Sequence, residues 1–151
     1  MNPDVHLDFG RKLIRSGILL FLLGLITGFV IPLLANPRMG LSSHLEGTMN
    51  GMLLAIIGLI WPKITLTDKL SRWCYFLALF GTFTNWLTTL LAGIWGAGGE
   101  MMPIAAGSLQ GSVWQEIIIK FGLISLALSM IVVCGLLLWG LKGKPQNKFT
   151  N

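Results

Sequence analysis

Residues 114–141 read WQEIIIKFGLISLALSMIVVCGLLLWGL, and from Phe121 to the end of this run no side chain is charged. A helix of about 20 apolar residues, rising 1.5 Å per residue, crosses the ~30 Å hydrocarbon core of a bilayer. This stretch therefore predicts a transmembrane helix. Three further runs meet the same criterion, near 14–34, 44–61 and 73–95. We predict an all-α, polytopic membrane protein with four transmembrane helices in a single domain over residues 1–151.

The composition supports this class. Of the 151 residues 54% are apolar and only 11% are charged, whereas a soluble domain carries roughly 25% charged residues. The net charge of +5 comes from short basic clusters between the apolar runs, a pattern typical of membrane topology. We therefore expect contact with membrane lipid and no nucleic-acid partner.

The distribution of Lys and Arg predicts the orientation. Nine basic residues lie before the first run, between the second and third, or after the fourth, and two lie on the opposite side. The nine are Arg11, Lys12, Arg15, Lys63, Lys69, Arg72, Lys142, Lys144 and Lys148, and the two are Arg38 and Lys120. Because basic residues accumulate on the cytoplasmic side, we expect both termini in the cytoplasm and the protein in the inner membrane.

His44 stands at the predicted start of the second span. It is either an interfacial histidine or a ligand of a metal or haem, since neutral imidazole is a common donor for such centres. The only other histidine, His6, precedes the first span, so a haem here would have one protein ligand and one open face. Arg38 is the only cation in the connection before His44. It either contacts a haem propionate, or it stabilises the helix end or contacts lipid headgroups.

Asn50 lies six residues after His44, about 9 Å deeper along a helix. Six steps of 100° place the two side chains roughly 120° apart, so they are not expected to share one small pocket within one subunit. Glu46 lies closer to the face of Asn50. The sequence leaves open whether Glu46 is a capping carboxylate and whether Asn50 is an interhelical hydrogen-bonding group.

The third span carries a polar stripe. Thr82, Asn85 and Thr89 recur at i, i+3 and i+7, which places them on one helix face. They either serve ordinary helix packing or form one wall of a polar pocket. Residues 96–112 form a glycine-rich connection between the third and fourth spans, on the outer side of the membrane. It is either a flexible lid or a plain connector. Glu116 and Lys120 are expected to form a neutralised i,i+4 pair.

The segment NPRMGLSSHLEGTMNG, residues 36–51, resembles the hydroxylaminobenzene mutases and is more distantly similar to styrene oxide isomerase. The resemblance extends over the four-span layout and implies small membrane-embedded isomerases that assemble as trimers. In the styrene oxide branch it implies b-type haem on the matching histidine. Carried over, His44 becomes the axial ligand and Asn50 a substrate-positioning amide. The styrene oxide pattern also has an aspartate and a tyrosine on span three. Span three of this chain has no acid, and the only tyrosine, Tyr75, lies at its cytoplasmic end.

That departure favours the mutase branch. We expect rearrangement of arylhydroxylamines to aminophenols, with ferric haem b as a Lewis acid held by His44 and Arg38. Asn50, Asn85 and Thr89 are the expected catalytic residues, in a homotrimer with sites between subunits. The alternatives are a styrene-oxide-type epoxide isomerase, a small four-span exporter, and a non-catalytic haem subunit of a larger membrane complex.

Overall fold

A computed structural model describes residues 3–142 of the chain, with side chains from Asp8 onward. Lys144, Lys148 and the side chain of His6 lie outside the described residues. Within the described range the helices are α1 (Pro3–Val30), α2 (Pro37–Ile60), α3 (Asp68–Trp95), α4 (Pro103–Ala106) and α5 (Val113–Leu141). All but the one-turn α4 are long and apolar enough to cross a membrane. The protein is a multi-pass, all-helical membrane protein.

Local capping chemistry sets the helix starts. The Asn36 side chain accepts hydrogen bonds from the backbone N–H groups of Arg38 and Met39, and Pro37 occupies the first helical position, where its missing N–H costs nothing. Helix α2 therefore begins seven residues before the predicted start of the second span. The predicted span 44–61 lies within the longer membrane-capable segment Pro37–Lys63, because a helix begins at its cap and apolar residues need not follow at once.

The transmembrane helices pack in chain order. Helix α1 packs against α2, α2 against α3, and α3 against α5, so α1 and α5 lie at the two ends of a row. Large apolar side chains remain exposed on both end helices, such as Phe29 on α1 and Phe121 on α5, at 85% and 74%. An apolar outer surface of this kind suits contact with lipid or with further membrane helices.

Glycine lets α1 and α2 approach to backbone contact. A Cβ at Gly17 would lie 2.6 Å from the carbonyl oxygen of Gly51, and one at Gly24 would lie 2.5 Å from the backbone nitrogen of Thr48. The facing residue Gly47 is equally tight, since its Cβ would lie 2.6 Å from the Gly24 Cα. Small residues at such crossings are typical of membrane helix pairs.

The outer connection between α3 and α5 is folded onto a buried carboxylate. Glu116 Oε1 accepts from the backbone N–H groups of Gly98 and Gly111, at 2.9 and 3.0 Å. Lys120 instead pairs with Glu100 at 3.0 Å. The predicted Glu116–Lys120 pair is therefore wrong. Several backbone donors of the glycine-rich loop converge on the Glu116 carboxylate and take the place of the neighbouring ammonium.

Candidate active site

His44 lies well inside α2 and points toward α1. It is seven residues from the start of the helix, about 10 Å at 1.5 Å per residue. Its Nδ1 lies 2.8 Å from the carbonyl oxygen of Gly24. A carbonyl oxygen only accepts, so Nδ1 carries the proton and Nε2 of the neutral ring keeps a free lone pair. Histidines that bind metals are commonly oriented in this way.

The space for the imidazole comes from a second glycine on α1. A Cβ added at Gly28 would lie 3.0 Å from His44 Nδ1, so any side chain there would press on the ring. On the outward side, His44 is flanked by Leu41 and Leu45, which are exposed. The histidine is thus half-buried, held on one side by α1 and open on the other.

A separate polar cluster joins α2 to α3. Glu46 Oε2 accepts from the side-chain amides of Asn50, at 3.1 Å, and Asn85, at 2.5 Å. The expected closeness of Glu46 and Asn50 is confirmed. The structure also brings in Asn85, which spacing along one helix could not predict. His44 is not part of this cluster, since its ring bonds to Gly24 of α1.

The threonines of the polar stripe bond to their own helix. The hydroxyl of Thr82 donates to the carbonyl of Ala78 at 2.7 Å, and that of Thr89 to the carbonyl of Asn85 at 2.8 Å. Both side chains are almost fully buried. Their hydroxyl protons are therefore used within α3, and only their oxygen lone pairs remain available to another group.

Trp86 connects three helices beside these groups. Its indole N–H donates to the Thr27 hydroxyl of α1 at 3.0 Å, and its carbonyl accepts from the Ser43 hydroxyl of α2 at 3.0 Å. Gly47 leaves room for the ring, since a Cβ there would lie 2.8 Å from Trp86 Cδ1. Trp86 is a site residue that the sequence did not predict. The signal in the sequence was its position in the middle of the predicted span 73–95.

The site residues differ in exposure: His44 and Asn85 are half-buried and Asn50 is buried. None of the best-defined cavities among the described residues is lined by His44, Asn50 or Asn85. Arg38 is exposed near the start of α2, and within the described part of the chain its guanidinium has no ion-pair partner. No group of three or more His, Cys, Asp or Glu side chains among the described residues could hold a metal ion alone.

Comparison with known proteins decides the family. Residues 9–142 match the sequence profile of the family described as styrene oxide isomerase. The chain belongs to the styrene oxide isomerase family. It is 54% identical to hydroxylaminobenzene mutase HabB of Ectopseudomonas oleovorans over 150 residues, which cover 99% of this chain and 92% of that protein. It is 44% identical to hydroxylaminobenzene mutase HabA of the same organism over 129 residues, covering 85% and 96% of the two chains.

Membership of the styrene oxide isomerase family, with mutases among its relatives, makes the chain an isomerase or mutase enzyme. The small exporter and the non-catalytic haem subunit are thereby set aside. The resemblance to hydroxylaminobenzene mutases, drawn from residues 36–51, is confirmed over nearly the whole chain. No solved structure matches the chain.

Proposed function

We propose that this enzyme rearranges arylhydroxylamines to aminophenols by moving oxygen from nitrogen to a ring carbon of the same molecule. The observation that carries this proposal is the 54% identity to hydroxylaminobenzene mutase HabB over almost the full length of both chains. The absence of an acidic residue after Asp68 in α3 supports the mutase branch over the epoxide branch. Membrane burial suits the chemistry, because apolar substrates enter from the bilayer and water is excluded from the reacting centre.

Purified protein in detergent, supplied with phenylhydroxylamine under anaerobic conditions without reductant, tests the proposal. We expect 2-aminophenol, because the rearrangement needs no net oxidation or reduction. Styrene oxide, supplied in a parallel reaction, tests the epoxide alternative through formation of phenylacetaldehyde. Turnover of styrene oxide alone would reject the mutase assignment.

His44 is the proposed axial ligand of a b-type haem. This assignment of His44 rests on the bond from its Nδ1 to the Gly24 carbonyl, which leaves Nε2 free to bind iron. It also rests on the donor set, because a single imidazole nitrogen suits a cofactor whose macrocycle supplies the other ligands, as a porphyrin does. The chemistry that ferric haem would supply when held by His44 is that of a Lewis acid toward the substrate oxygen. Asn50, Asn85 and Thr89 position the substrate.

Arg38 is the proposed partner of a haem propionate. Its guanidinium is exposed and has no ion-pair partner among the described side chains, so it is available for an anionic group. We expect Arg38→Ala to lose haem about tenfold faster during detergent washing, the size of one charge-assisted hydrogen bond. Lys120→Ala is the matched control, because Lys120 already pairs with Glu100. Equal retention in both variants would reject this role.

The membrane orientation is proposed from the nine-to-two distribution of basic residues, with both termini in the cytoplasm and the protein in the inner membrane. Single cysteines in a cysteine-free background test it. We expect an impermeant thiol reagent to label Ser108→Cys, in the outer connection, on intact cells. Gln146→Cys, in the tail, should react only after lysis. Labelling of the tail on intact cells would show that the C-terminus lies outside the cytoplasm and would reject the proposed orientation.

The complete site is proposed to form between the subunits of a homotrimer. His44 bonds to Gly24 of α1, whereas Asn50 bonds to Glu46, the residue that Asn85 of α3 also contacts. The outward side of His44 carries exposed leucines, which a second copy could cover. A closed ring would give every site groups from two subunits.

Mixing two inactive variants tests this sharing. His44→Ala and Asn50→Ala subunits, each with its own affinity tag, are co-expressed, and mixed oligomers are isolated by tandem purification. If sites are shared, some mixed oligomers contain one site with both groups intact, and activity returns to a fraction of the wild-type value. Mixed oligomers as inactive as the two pure variants would show that each subunit is self-contained.

A further inference from the structure

One carboxylate oxygen holds both amides of the polar cluster. Glu46 Oε2 accepts from Asn50 Nδ2, one turn along α2, and from Asn85 Nδ2 on α3. Because a carboxylate oxygen accepts hydrogen bonds, the atom of each amide that faces it must be the NH₂ group. Glu46 therefore determines which way round both amides lie.

The consequence is that both amide carbonyl oxygens point away from Glu46. An amide carries its oxygen and nitrogen on opposite sides of one carbon, so holding the nitrogen turns Oδ1 toward the remaining space. Within the described part of the chain, neither Oδ1 accepts a hydrogen bond. Neither is among the fully enclosed polar atoms without a partner, so each keeps some accessible surface.

These acceptors lie near the middle of the membrane helices. Asn50 is 13 residues into the 24-residue α2, about 20 Å from its start. Unpaired polar groups at such depth are costly and usually functional. The neighbouring hydroxyls of Thr82 and Thr89 offer no further donor to these oxygens, because they bond to α3 itself. The cluster thus presents two hydrogen-bond acceptors that require donors from a ligand.

We propose that Glu46 is a positioning residue that makes this site select substrates carrying N–H and O–H donors, and so hydroxylamines over epoxides. The inference rests on the proposed function and deepens it. An arylhydroxylamine offers one N–H and one O–H, whereas an epoxide oxygen only accepts and leaves both carbonyl oxygens without a donor. A site built to pair with substrate donors rejects analogues that lack them.

Binding of two unreactive ligands tests the proposal without using turnover. N-Benzylhydroxylamine has both donors but cannot become an aminophenol, because its nitrogen is not attached to the ring. N-Benzyl-N,O-dimethylhydroxylamine lacks both donors. Calorimetric titration of the purified protein in detergent gives the ratio of the two affinities. Comparing this ratio between variants removes the contributions of size and of any direct contact with the cofactor.

Three variants separate the possible roles of Glu46. Glu46→Leu removes the acceptor and frees both amides to turn, so we expect the preference for the donor ligand to fall about tenfold, the worth of one hydrogen bond. Glu46→Gln keeps an oxygen that can face both amides and should retain most of the preference. Glu100→Leu makes the same substitution at an exposed carboxylate and should leave the ratio unchanged.

A ratio within twofold of wild type in folded Glu46→Leu would overturn the inference. So would an equal loss in Glu46→Gln, because then the charge and not the acceptor would matter. If Glu46→Leu does not fold, Asn85→Leu removes one of the two acceptors, and an unchanged ratio there would overturn the inference equally. Wild-type protein that forms no aminophenol would reject the proposed function, while the affinity ratio would still decide the role of Glu46.

Discussion

Replacing His44 by alanine is expected to abolish haem binding and activity together. The Soret band of the purified protein should disappear, and formation of aminophenol should fall by more than the ~10–100-fold typical of losing an outer-shell partner of a metal ligand. The reason is that the bond between His44 Nδ1 and the Gly24 carbonyl orients the imidazole and leaves its Nε2 free to bind iron. Absorption spectra and product analysis measure the two effects separately.

The chain offers a matched control in its other histidine. His6→Ala removes an imidazole from the start of the chain and should leave both the spectrum and the activity unchanged. If the His44→Ala protein keeps an unaltered Soret band, the assignment of His44 as axial ligand is wrong, whatever happens to the activity.

Replacing Gly24 by alanine is expected to separate α1 from α2. The added Cβ would meet the backbone of Thr48 and Gly47 at 2.5 and 2.7 Å, and backbone atoms cannot move aside as a flexible side chain can. We expect the free energy of unfolding to fall by about 2 kcal/mol or more, net of the ~1 kcal/mol that alanine gains over glycine in a helix. Haem retention should fall as well, because the Gly24 carbonyl orients His44.

Gly135→Ala is the control for this substitution. Gly135 is also in a membrane helix, α5, but a Cβ there meets no atom within 4 Å, so only the gain in helix propensity should remain. Thermal or denaturant unfolding in detergent compares the two variants. Equal stability of Gly24→Ala and Gly135→Ala would mean that the close approach of α1 and α2 is unimportant.

The polar groups show how far sequence reasoning reaches at the site. The angular separation of His44 and Asn50, and the closeness of Glu46 to Asn50, follow from helix geometry. In the structure Asn50 bonds to Glu46, while His44 bonds to Gly24 of α1. The pairing of Glu116 with Lys120 was expected on the same grounds and is wrong. The spacing of residues along a helix predicts which side chains can meet on that helix. It does not predict that backbone N–H groups of a distant loop bind the Glu116 carboxylate instead.

The amino-acid sequence by itself determined that the chain has four membrane helices and carries polar residues at membrane depth. Hydropathy is a local property that adds up along the chain, so it can be read without knowing the fold. Only the tertiary structure decided that Gly24 orients His44, that Glu46 joins Asn50 to Asn85, and that Trp86 reaches Thr27. These bonds link residues 20, 39 and 59 positions apart. They depend on how closely the helices approach, which the glycines permit and which no periodicity along a single helix encodes.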